Sequence, residues 1–196
     1  MFTGIVEGTG LVTGCQKEGG NLRLILSCAF TGELKVDQSL SHNGVCLTVC
    51  RISAAEYEVV AIAETLQKTN LGNLRPGQVV NLERCMPASG RFDGHIVQGH
   101  VDGRGTCEKI TEENGSWQIW FSHDAGFADL VAEKGSVCVN GVSLTVAETS
   151  ASGFSVAIIP YTWEYTNFRY LKEGDTVNIE FDVLGKYMKK MLERLR

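Results

Sequence analysis

The sequence predicts an all-β protein built from two tandem small barrels, followed by a C-terminal helix. Three observations predict it. First, the chain nearly repeats itself. Asn43-Gly44-Val45-Cys46-Leu47-Thr48-Val49 returns as Asn140-Gly141-Val142-Ser143-Leu144-Thr145-Val146, an offset of 140 − 43 = 97. The same offset carries Thr65 to Thr162, Thr69-Asn70 to Thr166-Asn167, Leu74 to Leu171, and Val80-Asn81-Leu82-Glu83 to Val177-Asn178-Ile179-Glu180. A repeat of this span exceeds the roughly 20–50 residues of a solenoid or propeller unit and is a whole small domain. Second, each half is filled with short β-branched, alternating segments separated by turn residues, the pattern of a sandwich or barrel. Third, no long helical stretch separates these segments. A small sheet without covering helices is most simply closed on itself, which removes its edges.

The elements follow in order. Predicted strands cover residues 22–26, 46–52, 58–62 and 79–82 in the first half, and 118–121, 137–139, 143–147, 155–159 and 177–181 in the second. Turns fall at Gly19-Gly20-Asn21, His42-Asn43-Gly44, Pro76-Gly77, Asn114-Gly115, Asn140-Gly141 and Ser152-Gly153. Asn-Gly pairs suit the positive φ of tight hairpin turns. Residues 64–70 and 161–167, at matching places, read as short helical connectors, and residues 84–94, with Pro87, Gly90 and Gly94, as the linker. Residues 183–196 read as a helix, with Leu184, Met188, Met191 and Leu195 at i, i+4, i+7 and i+11. So short a helix is marginal alone and needs a surface, its own barrel or a partner subunit. The expected domains are residues 1–94, 95–183 and the helix 184–196.

Composition excludes several classes. With 18 basic against 23 acidic residues the net charge is −5, which argues against nucleic acid as the main partner. No apolar run approaches the roughly 20 residues that span a bilayer. No leader precedes the first motif, so the expected location is the cytoplasm. The seven cysteines are odd in number and form no C-x-x-C pair, which argues against a disulfide framework or a zinc site. Within the best-matched repeat, Cys46 stands against Ser143. Two similar pockets with unlike chemistry suit a site that handles two copies of one ligand.

Several motifs resemble one family. Met1-Phe2-Thr3-Gly4-Ile5-Val6-Glu7, the doubled Asn-Gly-x-x-Leu-Thr-Val, Glu64-Thr65-Leu66, Thr69-Asn70-Leu71-Gly72 and Gly94-His95-Ile96-Val97-Gln98-Gly99-His100-Val101 are similar to riboflavin synthases of the α-chain type, over essentially the whole chain. The resemblance implies two six-stranded Greek-key barrels that each bind a lumazine, and a homotrimer held partly by C-terminal helices. It implies dismutation of two 6,7-dimethyl-8-ribityllumazine molecules by four-carbon transfer, without metal or organic cofactor. It implies a reaction between the first barrel of one subunit and the second barrel of the next, and raises association with lumazine synthase. The same architecture occurs in lumazine-carrying antenna proteins of luminous bacteria, in which the match at positions 46 and 100 fails.

The chemistry needs loss of a proton from a ring methyl and close juxtaposition of two rings, and orientation alone can supply about 7–11 kcal/mol in ideal cases. Cys46, matching the family's functional cysteine, is the first candidate, as nucleophile or proton-transfer group; its alternative is a core cysteine. His100 is the second, since an imidazole exchanges protons near neutrality; it is expected in the first strand of the second half. His95 reads as structural, and His42 and His123 as turn or surface residues. Ser39 and Asp182 match family polar groups that relay a proton or orient the ligand; Ser39 could instead serve local backbone, and Asp182 could be a solvated acid. The binding residues implied by the family fall in two sets. The first-half set is Phe2, Gly4, Ile5, Val6, Cys46, Leu47, Thr48, Val60, Ala61, Ile62, Ala63, Glu64 and Thr65. The second-half set is Gly99, His100, Val101, Lys134, Ser143, Leu144, Thr145, Ala157, Ile158, Ile159, Pro160, Tyr161 and Thr162. Tyr161 stands where the first half has Glu64, a departure from symmetry at the position expected to bind ribityl hydroxyls.

Overall fold

The computed structural model describes residues 1–195. Arg196, the last residue of the predicted helix, lies outside the described residues. Six strands form a closed first barrel: β1 (Gly8–Glu18), β2 (Asn21–Cys28), β3 (Ser39–His42), β4 (Val45–Ser53), β5 (Glu56–Ala61) and β6 (Val79–Arg84). Six more form the second: β7 (Gly103–Glu113), β8 (Ser116–Ser122), β9 (Ser136–Val139), β10 (Val142–Ser150), β11 (Gly153–Ile158) and β12 (Thr176–Phe181). The first closes in the order β1-β2-β5-β4-β3-β6, and the second is the same circuit shifted by six strands. All pairings are antiparallel. Helices α1 (Ala63–Lys68) and α2 (Pro160–Tyr165) occupy the predicted connectors, and α3 (Val183–Glu193) ends the fold.

The duplication extends to irregularities. Register shifts interrupt β1 between Val12 and Gly14 and β7 between Cys107 and Lys109; they recur in β4 between Val49 and Arg51 and in β10 between Val146 and Glu148. Such bulges tighten the bend that lets a short strand turn a barrel corner. From β1 to β7 the offset is 103 − 8 = 95, and from β3 to β9 it is 136 − 39 = 97. The two extra residues fall in the connection after β8, where a helical turn over Ala125–Leu130 replaces the shorter one over Thr31–Glu33. The long strands β1 and β7 are absent from the predicted set, because glycines and charged residues interrupt their apolar alternation.

Each barrel has its own core. Val45, Leu47 and Val49 of β4 point inward with Leu24, Tyr57 and Leu82, while Phe121, Phe154, Phe168 and Phe181 fill the second. His42 is not a turn or surface residue but is fully buried at the end of β3, with Nε2 3.0 Å from the Tyr57 hydroxyl and Nδ1 3.0 Å from the Leu40 carbonyl. His123 is buried too. Burial pushes the His42 pKa down to about 4, below the roughly 6.5 of an unfolded chain. The unfolded chain therefore takes up a proton that the fold refuses. This contribution to stability is complete above pH ~6.5 and is lost as the pH falls through 6.5 towards 4, about 3 kcal/mol in all. In urea titrations at pH 7 and pH 4, His42→Gln should show an acid loss smaller than the parent's by that amount; equal losses would refute it.

The barrels meet through a pseudo-symmetric asparagine network. Both Asn-Gly turns have the predicted positive φ (Asn43 47°, Gly44 79°; Asn140 46°, Gly141 81°), and they stand back to back. A Cβ on Gly44 would lie 2.9 Å from the Gly141 nitrogen, and one on Gly141 2.7 Å from the Gly44 nitrogen, so this approach requires glycine at both. Asn81 Nδ2 donates to the Asn140 carbonyl and Asn178 Nδ2 to the Asn43 carbonyl, at 2.8 and 2.9 Å. Asn167 N donates to Asn81 Oδ1 and Asn70 N to Asn178 Oδ1, both at 2.7 Å.

Helix α3 is capped by Asp182, whose Oδ1 accepts from Leu184 N at 2.9 Å. Lys186 and Lys189 tie it to its own barrel, at 2.6 Å from Asp102 and 3.3 Å from Asp129. The predicted stripe Leu184, Met188, Met191 and Leu195 instead faces outward and is exposed. Among the described residues no helix is long and apolar enough to cross a membrane.

Candidate functional site

The chain departs from simple two-lobe bookkeeping at the segments that precede each barrel. Residues 2–6 and 97–101 run past one another, joined by Phe2 N to Val97 O at 2.7 Å and Val97 N to Phe2 O at 3.1 Å. Each then docks on the barrel of the other half. Cys46 N on β4 donates to Gly99 O at 2.9 Å, and Ser143 N on β10 donates to Gly4 O at 2.7 Å. Val101 packs on the first core and Val6 on the second.

This crossing corrects two expectations. His100 lies in the crossing segment, ahead of β7, not in the first strand of the second barrel. The two sets of contact residues must also exchange their leading members. Gly99, His100 and Val101 accompany Cys46, Leu47 and Thr48, whereas Gly4, Ile5 and Val6 accompany Ser143, Leu144 and Thr145. Cys46 and the segment that carries His100 therefore meet within one chain, so their membership of different halves gives no reason to invoke a neighbouring subunit. Sequence order could not show this, because the crossing depends on long-range docking. Its structural mark is a left-handed glycine at matching places, Gly4 with φ 76° and Gly99 with φ 79°. A Cβ on Gly99 would lie 2.6 Å from Cys46 Cβ, and one on Gly4 2.7 Å from Ser143 Cβ.

The local pleat sorts the other candidates. Alternation along β4 turns Cys46 and Thr48 to the outer face while Leu47 enters the core; β5 turns Val60 outward and Ala61 inward. Leu144 and Ile158 likewise belong to the second core, so Leu47, Ala61 and Ile158 offer a ligand mainly their backbone. Cys46 is half-buried, and His100, next to Gly99, is exposed. Ser39 pairs with Thr48 in the β3–β4 ladder, one step along the outer face from the Ser41–Cys46 pair. Phe2 is fully buried with Val97 and Cys138, against Cys46, so it seals the crossing from below. Glu64 is exposed and pairs with Lys68 at 3.0 Å; its counterpart Tyr161 instead packs on Tyr165, ring centroids 4.6 Å apart. Ile62, Ala63, Ile159 and Pro160 are exposed around the starts of α1 and α2, with Thr65 and Thr162 half-buried.

A cleft of about 290 Å³ on the second barrel is lined by Lys134, Ser143, Leu144, Thr145, Ala157, Ile159 and Thr162, seven of the predicted contact residues. That is near the lower end of small-molecule clefts, about 300–1,000 Å³. Their counterparts at the offset of 97 are Asp37, Cys46, Leu47, Thr48, Val60, Ile62 and Thr65. Lys134 and Asp37 both have positive φ, 63° and 69°, so the backbone matches while the charge is opposite. A larger cleft, about 590 Å³, lies between the barrels and is lined in part by Asn43, Asn70, Asn140 and Asn167 of the structural network.

One polar neighbour of the cleft is absent from the predicted site. His95, read as structural, has Nδ1 2.7 Å from Ser143 Oγ. Burial lowers its pKa, against the smaller opposing pull of the Asp182 carboxylate. Its Nε2 is buried and has no partner among the described residues. His95 and Ser143 thus meet at the cleft of the second barrel, with the Asp182 carboxylate near enough to act on the imidazole, while Cys46 on the first barrel is bonded through its backbone to Gly99, the neighbour of His100. The spacing between His95 and Ser143 in sequence gives no hint of this pairing.

Comparison with known proteins matches this arrangement. A lumazine binding domain is found twice, over residues 3–85 and 98–182. The riboflavin synthase of Actinobacillus pleuropneumoniae is 38% identical, covering 98% of this chain and 90% of its own. That of Mycobacterium bovis is 41% identical, covering 98% of each chain. The chain belongs to the riboflavin synthase family. It is an enzyme of that family, and its twin barrels are the family's lumazine-binding repeat. Among solved structures, LumP complexed with riboflavin superimposes with a TM-score of 0.87 at 26% identity, covering 92% of this chain and 99% of LumP. Riboflavin synthase relatives thus match in sequence along the whole chain, and LumP matches in the trace of both barrels.

Proposed function

We propose that the enzyme dismutates 6,7-dimethyl-8-ribityllumazine, giving riboflavin and 5-amino-6-(ribitylamino)uracil. One molecule loses four carbons and the other gains them, so the exchange is balanced without an external oxidant or reductant. The observation that carries this reading is the pair of like-folded outer-face sites with unlike chemistry. One combines Cys46 with His100; the other combines Ser143 with His95, and has Ile5 at the place matching His100. Two copies of one molecule, asked to play donor and acceptor, need that kind of inequality.

In this reading each ring lies against the outer face of β4 or β10, with backbone groups and Thr48 or Thr145 on its polar edge. His100 and Cys46 exchange the methyl proton and assist addition to the ring. His95 orients the Ser143 hydroxyl, with Ser39 and Asp182 as further polar groups, and Lys134 supplies a positive charge for the anion that forms. The outward stripe on α3 supports assembly into a homotrimer, which would bring a first-barrel site of one subunit to a second-barrel site of the next. A cytoplasmic location and docking with lumazine synthase complete the proposal.

The test uses the pure protein, the lumazine and no other reagent. Riboflavin absorbance should rise, with one riboflavin formed per two lumazines consumed. The fold likeness to LumP favours one second reading, a carrier that binds without turnover. Saturable lumazine binding with no riboflavin formed would select the carrier and sink the dismutase.

A further inference from the structure

We propose that Glu180 and Glu83 are positioning residues that each act on the site of the opposite barrel. Glu180, on β12 of the second barrel, holds residues 98–100 against Cys46; Glu83, on β6 of the first, holds residues 3–4 against Ser143. The proposal rests on the assignment of the two sites in the preceding subsection.

The geometry is the same twice. Glu180 Oε1 accepts from Gln98 N at 2.7 Å, and Oε2 accepts from Gly99 N and His100 N, both at 3.0 Å. Glu83 Oε1 accepts from Thr3 N at 2.6 Å and Thr3 Oγ1 at 2.8 Å, and Oε2 from Gly4 N at 2.9 Å. Both carboxylates are buried, at 2% and 5% exposure. A buried carboxylate is costly unless its oxygens are satisfied, and here the satisfying donors are the crossing segments.

Each left-handed glycine then acts as a peg between barrels. Its N–H points at the glutamate of one barrel and its carbonyl at the outer strand of the other. A continuous path runs from Glu180 through Gly99 to Cys46 N, and a second from Glu83 through Gly4 to Ser143 N. The His100 amide is held by the same carboxylate, so the imidazole is carried on backbone that the second barrel fixes and the first barrel uses. A residue with a merely structural role would weaken both sites together. A peg of this kind weakens only the site across the interface.

The test compares Glu180→Ala, Glu180→Gln, Glu83→Ala and Glu83→Gln in the full chain. The primary readout is the rate at which iodoacetamide alkylates Cys46, resolved by peptide mass spectrometry with exposed Cys50 as the internal reference. Glu180→Ala should release residues 98–100 and speed alkylation of Cys46 by about tenfold, whereas Glu83→Ala should leave it within about twofold of the parent. Glu180→Gln keeps the shape but turns an amide NH₂ towards backbone donors, so it should move the same way by about threefold and decides the matter if the alanine variant does not fold. In turnover, Glu180→Ala should lower kcat by more than it raises KM for the lumazine. Unchanged Cys46 reactivity in both Glu180 variants, or an equal rise in the Glu83 variants, overturns the proposal. If instead the parent makes no riboflavin while Cys46 reactivity still follows the crosswise pattern, the dismutase reading has failed and the positioning role stands.

Discussion

His100→Ala should lower the rate of riboflavin formation by about 10²–10⁴-fold, the usual reach of one general acid or base, and Cys46→Ala should fall in the same range. Neither change should harm the fold. His100 is exposed on the crossing segment, and only its backbone N–H, donating to Glu180 at 3.0 Å, contributes to the packing. Cys46 is half-buried on the outer face of β4; its backbone donates to Gly99 O at 2.9 Å, and its side chain packs at the edge of the small Phe2, Val97 and Cys138 cluster, where the Cβ of alanine keeps part of the contact. Alanine preserves both backbones. Lumazine affinity, followed by fluorescence quenching, should therefore change by less than about threefold while kcat collapses, the signature of a group that acts only in the transition state. If both variants turn over lumazine at the parent's rate, Cys46 and His100 are not the reacting pair and the chemistry must be sought at Ser143 and His95.

Asn178→Ala should cost about 4 kcal/mol of stability, the largest effect expected away from the clefts. The side chain accepts from Asn70 N at 2.7 Å and donates to the Asn43 carbonyl at 2.9 Å, both across the barrel interface. Truncation strands a buried donor and a buried acceptor at once, each worth about 1–3 kcal/mol. Asn81→Ala removes the pseudo-symmetric bonds to Asn167 N and the Asn140 carbonyl and should cost a similar amount. Exposed Asn73→Ala, nearby, should stay within about 0.5 kcal/mol. Urea denaturation of the three variants separates these cases; a loss below 1 kcal/mol at Asn178 would show that the network does not join the barrels.

Much of the architecture was legible because it is local. Alternation along residues 45–49 and 142–146 places Leu47 and Leu144 inside and Cys46 and Ser143 outside, a consequence of the two-residue period of a strand. The Asn-Gly turns were legible because two adjacent positive φ values strongly favour those residues. His42 was misread because a histidine beside an Asn-Gly turn resembles loop sequence; its burial comes from Tyr57, 15 residues away on another strand. The long strands β1 and β7 escaped because Gly10, Gly14, Gly103 and Gly105 blur their period.

By itself the sequence determined the duplicated all-β plan and the family, since strand period, turn chemistry and repetition are properties of neighbours along a chain. Only the tertiary structure decided which site receives which leading segment, because Gly4 and Gly99 are held by Glu83 and Glu180 about 80 residues away, through backbone groups that every residue type shares. Backbone hydrogen bonds carry no residue label, so the exchange that brings Gly99 and His100 to the strand of Cys46, and Gly4 and Ile5 to the strand of Ser143, leaves no pattern in the amino-acid order.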